Sequence, residues 1–489
     1  MLKRDYFLEK SLSKRVKYLV FYLIRTGCHA ILCLETNSGD GEGMERYAMS
    51  KLLAWKNSPH RKPLLLLGAR QVGKTWLLGE FGKRHFKKVA NIKFDKNSVM
   101  RETFSKDYDI SRLLSALQLE AGFKITPEDT LIIFDEIQTC PAALTSLKYF
   151  CEEAPEYAIA AAGSLLGIAE HQGTGFPVGK VNRIYLYPMT FTEFLTAAGH
   201  EQFAELIATG DWDMIGTFHE KLSDFLKYYY FIGGMPEAVA SFVEFHDFQQ
   251  VRQIHHQLLS DYSDDFEKHV PKSTAAKIRM IWESIPKQLA KENKKFVYSD
   301  VKESMRARNL EEAMQWLLAA GMIYHVHNVS KPAFPLNAYR EENAFKAFFL
   351  DIGLLAAKSN LSARTILEGN AVFQEFKGAL AEQYVLQQIV AEFGTVPYYW
   401  SEKSPTREVD FVIEHEEGII PLEVKAEKNL QAKSLKFYCR KYRPAEAVRI
   451  SMSKFFRQTV VDPEGNQDGY TLIDLPLFAV SRLISECEK

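Results

Sequence analysis

The chain has 489 residues, 46% of them hydrophobic and 25% charged, with a formal net charge of −1. That length exceeds what one hydrophobic core fills and predicts about three domains. The near-zero charge excludes a global attraction to nucleic acid, so any such contact needs a local basic patch. Six cysteines, Cys28, Cys33, Cys140, Cys151, Cys439 and Cys487, form no C-x-x-C pair, which argues against a disulfide scaffold or a zinc site and fits a reducing cytoplasm.

Residues 17–35 are apolar but interrupted by Arg25 and His29, short of the ~20 uninterrupted residues that a membrane span needs. No small-residue cleavage site follows. A polar, glycine-containing stretch, 36–43, leads to Met44. Residues 1–43 therefore read as an N-terminal extension, with translation from Met44 as the expectation. No membrane span is expected; the alternative is a membrane-associated protein that uses 17–35.

The first domain, 44–200, opens with a helix at 47–55 and an apolar strand at 64–67. The string GARQVGKT follows at 68–75, and a helical pattern at 76–86. Strand, glycine loop, Lys, Thr and helix together form the phosphate-loop pattern in its required context. Gly68 and Gly73 let the backbone of Ala69, Arg70, Gln71 and Val72 turn its N–H groups toward phosphate oxygens, and the helix that follows adds its positive dipole end. Lys74 supplies a point charge for the β and γ phosphates, and Thr75 a hydroxyl for Mg²⁺. The ligand expected here is ATP with Mg²⁺.

Strands at 91–95, 130–138, 157–164 and 183–187 alternate with helices such as 111–122, the pattern of a parallel sheet covered on both faces. Its ligand lies at the carboxyl ends of the strands. Asp135 and Glu136 end one of these strands. A carboxylate at Asp135 suits Mg²⁺, and Glu136 suits activation of the attacking water. Ser164 ends the next strand and reads as a γ-phosphate sensor or a loop-stabilising serine. Arg183 is a candidate arginine finger by position alone.

Residues 201–275 read as a helical linker, with KYYYFIGGMPEAV (227–239) bending at Gly-Gly and its tyrosines packed in the core. In 276–360 the order helix 279–291, short strand 295–298, helices 299–305 and 310–320, then hairpin strands 322–329 and 334–337 is that of a winged helix. Lys294, Lys295, Lys302, Arg306 and Arg308 cluster around it, as a nucleic-acid face or a merely solvated one. The last segment, 361–489, reads as a small α/β unit. It has a helix at 373–393, strands at 398–400, 408–414 and 418–426, a helix at 433–443 and a strand at 447–452. Asp410 is followed thirteen positions later by Glu423, and Lys425 comes two after that. Residues two apart on a strand share a face. Asp410, Glu423 and Glu382 from the helix could therefore hold Mg²⁺, with Lys425 orienting water or balancing phosphate charge; a salt-bridged hairpin is the alternative.

These strings together carry a resemblance. GARQVGKT, LIIFDEIQ, AGSLLG, the FPVGKV…YPMTFTEFL stretch (176–195), GGMPEAV (233–239) and EVDFVIE…PLEVKA (408–426) make 44–455 similar to bacterial and archaeal AAA-like P-loop ATPases (AAA+ superfamily). These carry a C-terminal domain of unknown function that resembles PD-(D/E)xK nucleases. The resemblance implies an α/β P-loop core, a winged-helix middle and a restriction-endonuclease-like end, with Glu382, Asp410, Glu423 and Lys425 as nuclease residues. Where the family has a further small polar residue in the sensor segment, this chain has Leu165. The expected function is an ATP hydrolase that drives a winged-helix and nuclease-like pair of modules on DNA or RNA. The alternative is an ATP-gated regulatory switch that binds a protein partner and cuts nothing.

Overall fold

Four consecutive leucines, Leu64–Leu67, form β1, and all four are buried. A continuous apolar run of this kind suits a strand covered on both faces. β2 (Lys88–Lys93), β3 (Thr130–Asp135), β4 (Ala158–Ala162) and β5 (Asn182–Tyr185) join it in the order β2-β3-β4-β1-β5, and every pairing is parallel. β4 lies between β1 and β3, so the loops after all three meet at one edge of the sheet. Behind them Phe94, Phe104 and Phe134 pack edge to face at 5.3–5.5 Å between ring centroids.

The molecule is a computed structural model that describes residues 45–164, 175–292, 294–303, 305–368, 374–402, 407–416, 418–427, 432–461 and 469–488. These residues belong to one compact unit, Gly43–Lys489. The apolar stretch 17–35, the extension 1–43 and Leu165 lie outside the described residues. Among the described residues, no helix is long and apolar enough to cross a membrane.

After β5 the chain is helical. The helices His219–Ile232 and Pro236–Phe245 meet at Gly233 and Gly234. A Cβ at Gly234 would lie 2.1 Å from the carbonyl oxygen of Met189, so this bend requires glycine. The helices Phe248–His269 and Lys272–Leu289 follow.

The second sheet has eight strands in the order β12-β13-β11-β10-β9-β8-β6-β7. These are β6 (Ile323–Val329), β7 (Arg340–Phe349), β8 (Tyr398–Ser401), β9 (Glu408–His415), β10 (Gly418–Val424), β11 (Glu446–Ser451), β12 (Phe456–Val460) and β13 (Tyr470–Pro476). The middle hairpin β6–β7 and the C-terminal strands thus share one sheet. Three local expectations fail. The strand expected at 295–298 is an extended stretch with the bond Phe296 N–H to Phe345 O (2.8 Å), followed by the one-turn helix Tyr298–Val301. The helix expected at 299–305 shrinks to that turn. The second hairpin strand lies at Arg340–Phe349, and Leu336–Tyr339 is a 3₁₀ turn.

The helix Gln374–Phe393 ties the parts together through three buried glutamines. Gln383 accepts from Phe349 N–H (2.9 Å) and donates to Phe349 O (2.7 Å). Gln387 accepts from Ile352 N–H and Gln388 from Phe191 N–H, both at 2.8 Å. Such paired amides hold backbone groups that would otherwise be buried unsatisfied.

Candidate functional site

The loop between β1 and the helix Lys74–His85 turns through residues with positive φ: Gly68 (145°), Gln71 (63°) and Gly73 (95°). A Cβ at Gly68 would lie 2.2 Å from Leu186 O, so only glycine fits there. Lys74 is buried, and its Nζ donates to Gly68 O (2.9 Å) and Ala69 O (2.7 Å). Burial lowers its pKa to about 8, although Glu136 and Asp135 act in the opposite direction. Thr75 Oγ1 donates to Asp135 Oδ1 at 3.0 Å, joining the helix start to the end of β3. Asp135 is buried and also accepts from Glu136 N–H at 3.2 Å.

Glu136 has left-handed backbone, φ 51°, an uncommon geometry for a residue with a side chain. Its carboxylate accepts from the Gln138 side-chain amide. Ser164 follows β4 and lines a cavity of about 280 Å³ with Gly68, Ala69, Tyr187, Gln315 and Tyr324. The expected loop, acid and sensor residues thus surround one edge of the sheet. Arg183 lies elsewhere, its guanidinium 5.2 Å from the centre of the Phe176 ring.

Several contacts at the loop carried no signal in the sequence. Arg46 is buried and donates from Nη1 to Val72 O (3.1 Å) and from Nη2 to Tyr187 O (2.7 Å), while its Nε meets Glu193 Oε1 at 3.1 Å. A Cβ at Gly73 would lie 3.6 Å from Pro236 Cγ, so the Gly-Gly-Met-Pro bend abuts the loop. The helix Phe248–His269 reaches over it from the other side: Tyr262 Oη donates to Arg70 O (2.8 Å), Asp261 accepts from Gln71 Nε2 (3.0 Å), and Asp265 pairs with the Arg70 guanidinium.

The C-terminal residues form a separate cluster. The antiparallel register ends with Leu422 opposite Phe411, so Asp410 and Glu423 follow side by side at that end of the hairpin. Asp410 Oδ2 accepts from Val424 N–H at 2.8 Å. Lys425 Nζ meets Glu423 Oε1 at 2.6 Å. Lys294 pairs with Glu382. Lys346, wholly buried on β7, lies 2.5 Å from Glu408 Oε1 and 3.7 Å from Glu382 Oε2. Burial alone would raise the Glu382 pKa, but Lys294 and Lys346 bring it below the usual value. Burial, then the charges of Glu382 and Glu423, push Asp410 well above the usual carboxylate range.

This differs from the shared metal site expected of Glu382, Asp410 and Glu423. Among the described residues, the one trio of acids and histidine whose ligand atoms lie within 4.8 Å of one another is His415, Glu416 and Glu488. Three lysines stand among these acids: Lys294 and Lys346 from the middle segment and Lys425 beside them. In the middle segment Lys302, Arg306 and Arg308 are exposed, as is Lys295.

Residues 60–195 match the model of an AAA domain. This part of the chain is similar to AAA-type P-loop ATPase domains. Residues 223–365 match a domain of unknown function (DUF8612), and 377–477 match another (DUF4143). No curated protein matches the chain. Similar solved structures include a Walker-type ATPase of Pyrococcus abyssi, at 16% identity, 65% coverage of this chain and 96% of that one, with a TM-score of 0.42. The Aeropyrum pernix ORC1 protein in complex with DNA follows at 11% identity, with 67% and 95% coverage and a TM-score of 0.29. Cdc6p of Pyrobaculum aerophilum has 10% identity, 68% and 97% coverage and a TM-score of 0.25. Scores this low decide nothing about chemistry.

Proposed function

We propose that the chain hydrolyses ATP at the phosphate loop and uses the nucleotide state to change how its middle and C-terminal segments engage nucleic acid. The observation that carries the first part is the hydrogen bond from Thr75 Oγ1 to Asp135 Oδ1 at 3.0 Å. It joins a hydroxyl and a buried carboxylate of the kind that hold Mg²⁺ beside phosphates. Thr75 and Asp135 would hold that ion, which when bound offsets phosphate charge. Lys74 exchanges two neutral loop carbonyls for charged β and γ oxygens, which are stronger partners for its ammonium. Glu136 orients the attacking water and takes its proton, with Gln138 fixing the carboxylate.

Nucleic acid, DNA or RNA, is the partner that the exposed Lys302, Arg306 and Arg308 suit. For the C-terminal cluster the favoured role is a binding joint that cuts nothing, because lysines already pair with Glu382, Glu408 and Glu423, three of its four acids. A protein partner in place of nucleic acid fits the same joint. The test is nucleotide hydrolysis by the purified chain with and without DNA or RNA, with cut products followed in the same tubes. Wild type turns over, Lys74→Ala loses binding, and Glu136→Gln binds but slows by ~10²–10⁴-fold. Normal turnover by Glu136→Gln removes it as the base, and metal-dependent cut products lost in Asp410→Ala would restore the nuclease reading.

A further inference from the structure

The helix Phe248–His269 grips the crown of the phosphate loop with side chains from adjacent turns. Asp261 takes the Gln71 amide, Tyr262 the Arg70 carbonyl, and Asp265 the Arg70 guanidinium. Tyr262 and Asp265 are buried, whereas the Arg70 side chain stays 41% exposed. Two carboxylates beside a loop shaped for polyphosphate carry the wrong sign for that ligand, so they oppose its arrival. Asp261 holds the side chain of Gln71, whose φ of 63° non-glycine residues rarely adopt.

We infer that Asp261, Tyr262 and Asp265 are positioning residues that latch the phosphate loop, and that a bound triphosphate draws Arg70 from Asp265 and so releases the helix. The inference rests on the reading of 68–75 as the nucleotide site. A half-exposed pair such as Arg70–Asp265 is weak, whereas a phosphate offers a guanidinium two oxygens and more charge. Asp265 is not left alone when Arg70 turns, because Lys268 Nζ lies 3.7 Å away. The movement has somewhere to go. Tyr262 packs edge-on against Trp282 (6.3 Å between centroids), and Phe266 packs against Trp282 (6.3 Å) and Trp316 (5.5 Å). Trp282 and Trp316 belong to the middle segment, so a shift of the latch helix is felt there.

The experiment measures affinity for a non-hydrolysable ATP analogue with Mg²⁺, together with tryptophan emission, on the full chain in a Trp76→Phe background. That background matters because Trp76 adjoins Thr75 and would report on the loop itself. Asp265→Asn and Tyr262→Phe are expected to bind ~5-fold tighter, the scale of a weak ion pair, and Asp265→Glu to behave like wild type. Wild-type emission shifts when the analogue binds, and Asp265→Asn starts near the shifted value. Lys74→Ala separates the two ideas. If it binds the analogue as wild type does, the nucleotide reading of the loop fails. If it loses binding while Asp265→Asn and Tyr262→Phe show equal or weaker affinity and unshifted emission, the latch alone is overturned.

Discussion

Lys346 offers the sharpest test of the C-terminal cluster. It is wholly buried, 3.7 Å from Glu382 and 2.5 Å from Glu408, with its ammonium 4.9 Å from the centre of the Tyr399 ring. At 3.7 Å and an effective dielectric of 20, one such pair is worth about 4.5 kcal/mol before desolvation. Removing one partner of a buried pair while leaving the acids in place costs about 3–5 kcal/mol. Lys346→Met keeps most of the volume and removes the charge, so the variant should lose stability on that scale. The loss should also depend on pH. Without the lysine the folded-state carboxyl pKa values rise above their unfolded ones, so folding is favoured at low pH and disfavoured as pH climbs through the raised values. The deficit should therefore widen from pH 5 to pH 8. Adding Glu382→Gln should recover part of it. Mn²⁺, negligible for wild type, should raise the melting temperature of Lys346→Met by replacing the missing charge. A variant as stable as wild type at pH 8, or a wild type that gains as much from Mn²⁺, refutes the claim that lysines stand where a metal was expected.

Replacing Lys302, Arg306 and Arg308 with Ala should weaken DNA binding across sequences alike and flatten the log–log salt dependence by ~0.9 per lost duplex phosphate contact; an unchanged slope, read by fluorescence anisotropy, assigns those charges to a solvated face. Burial, then the neighbouring Glu193, push Glu392 up to about 7. Because this raised value favours folding at low pH and the benefit fades between about pH 4.5 and 7, Glu392→Gln should gain on the order of 2–3 kcal/mol over wild type at pH 8 and little at pH 4.5, as read from denaturation midpoints at both. Gly68→Ala sets a Cβ 2.2 Å from Leu186 O and should lose nucleotide binding with a stability cost of about 1–3 kcal/mol, checked by calorimetry.

The ATPase core was legible because three of its five strands are fully buried. β1, β3 and β4 read as unbroken apolar runs, and the phosphate loop has a fixed spacing. The second sheet was harder. β7 begins with the exposed Arg340, Glu341, Glu342 and Asn343 before its six buried residues, so half of it looks like a loop. β12 is an edge strand with no buried residue, and the apolar run of β13 is broken by Asp474, which pairs with buried Arg449 at 2.6 and 2.8 Å. Asp410, Glu423 and Lys425 could be grouped from strand periodicity alone. Lys294 and Lys346 could not, because only the fold brings β7 and the preceding turn against Glu382. Asp261 and Asp265 were similarly silent, as two acids on a polar helix face.

The seam within the eight-stranded sheet has a practical consequence. β6 and β8 run parallel and come into register at Asn328 and Tyr399, and the Asn328 side chain accepts from Ser401 N–H (2.9 Å) and lies 3.2 Å from its hydroxyl. Cutting the gene near residue 360 would strip β6 from this seam and leave the flank of β8 with raw main-chain donors and acceptors. Such an edge recruits whatever strand it meets first. The isolated C-terminal fragment should therefore self-associate, and a pull-down performed with it would report the stickiness of a torn sheet instead of a native partner.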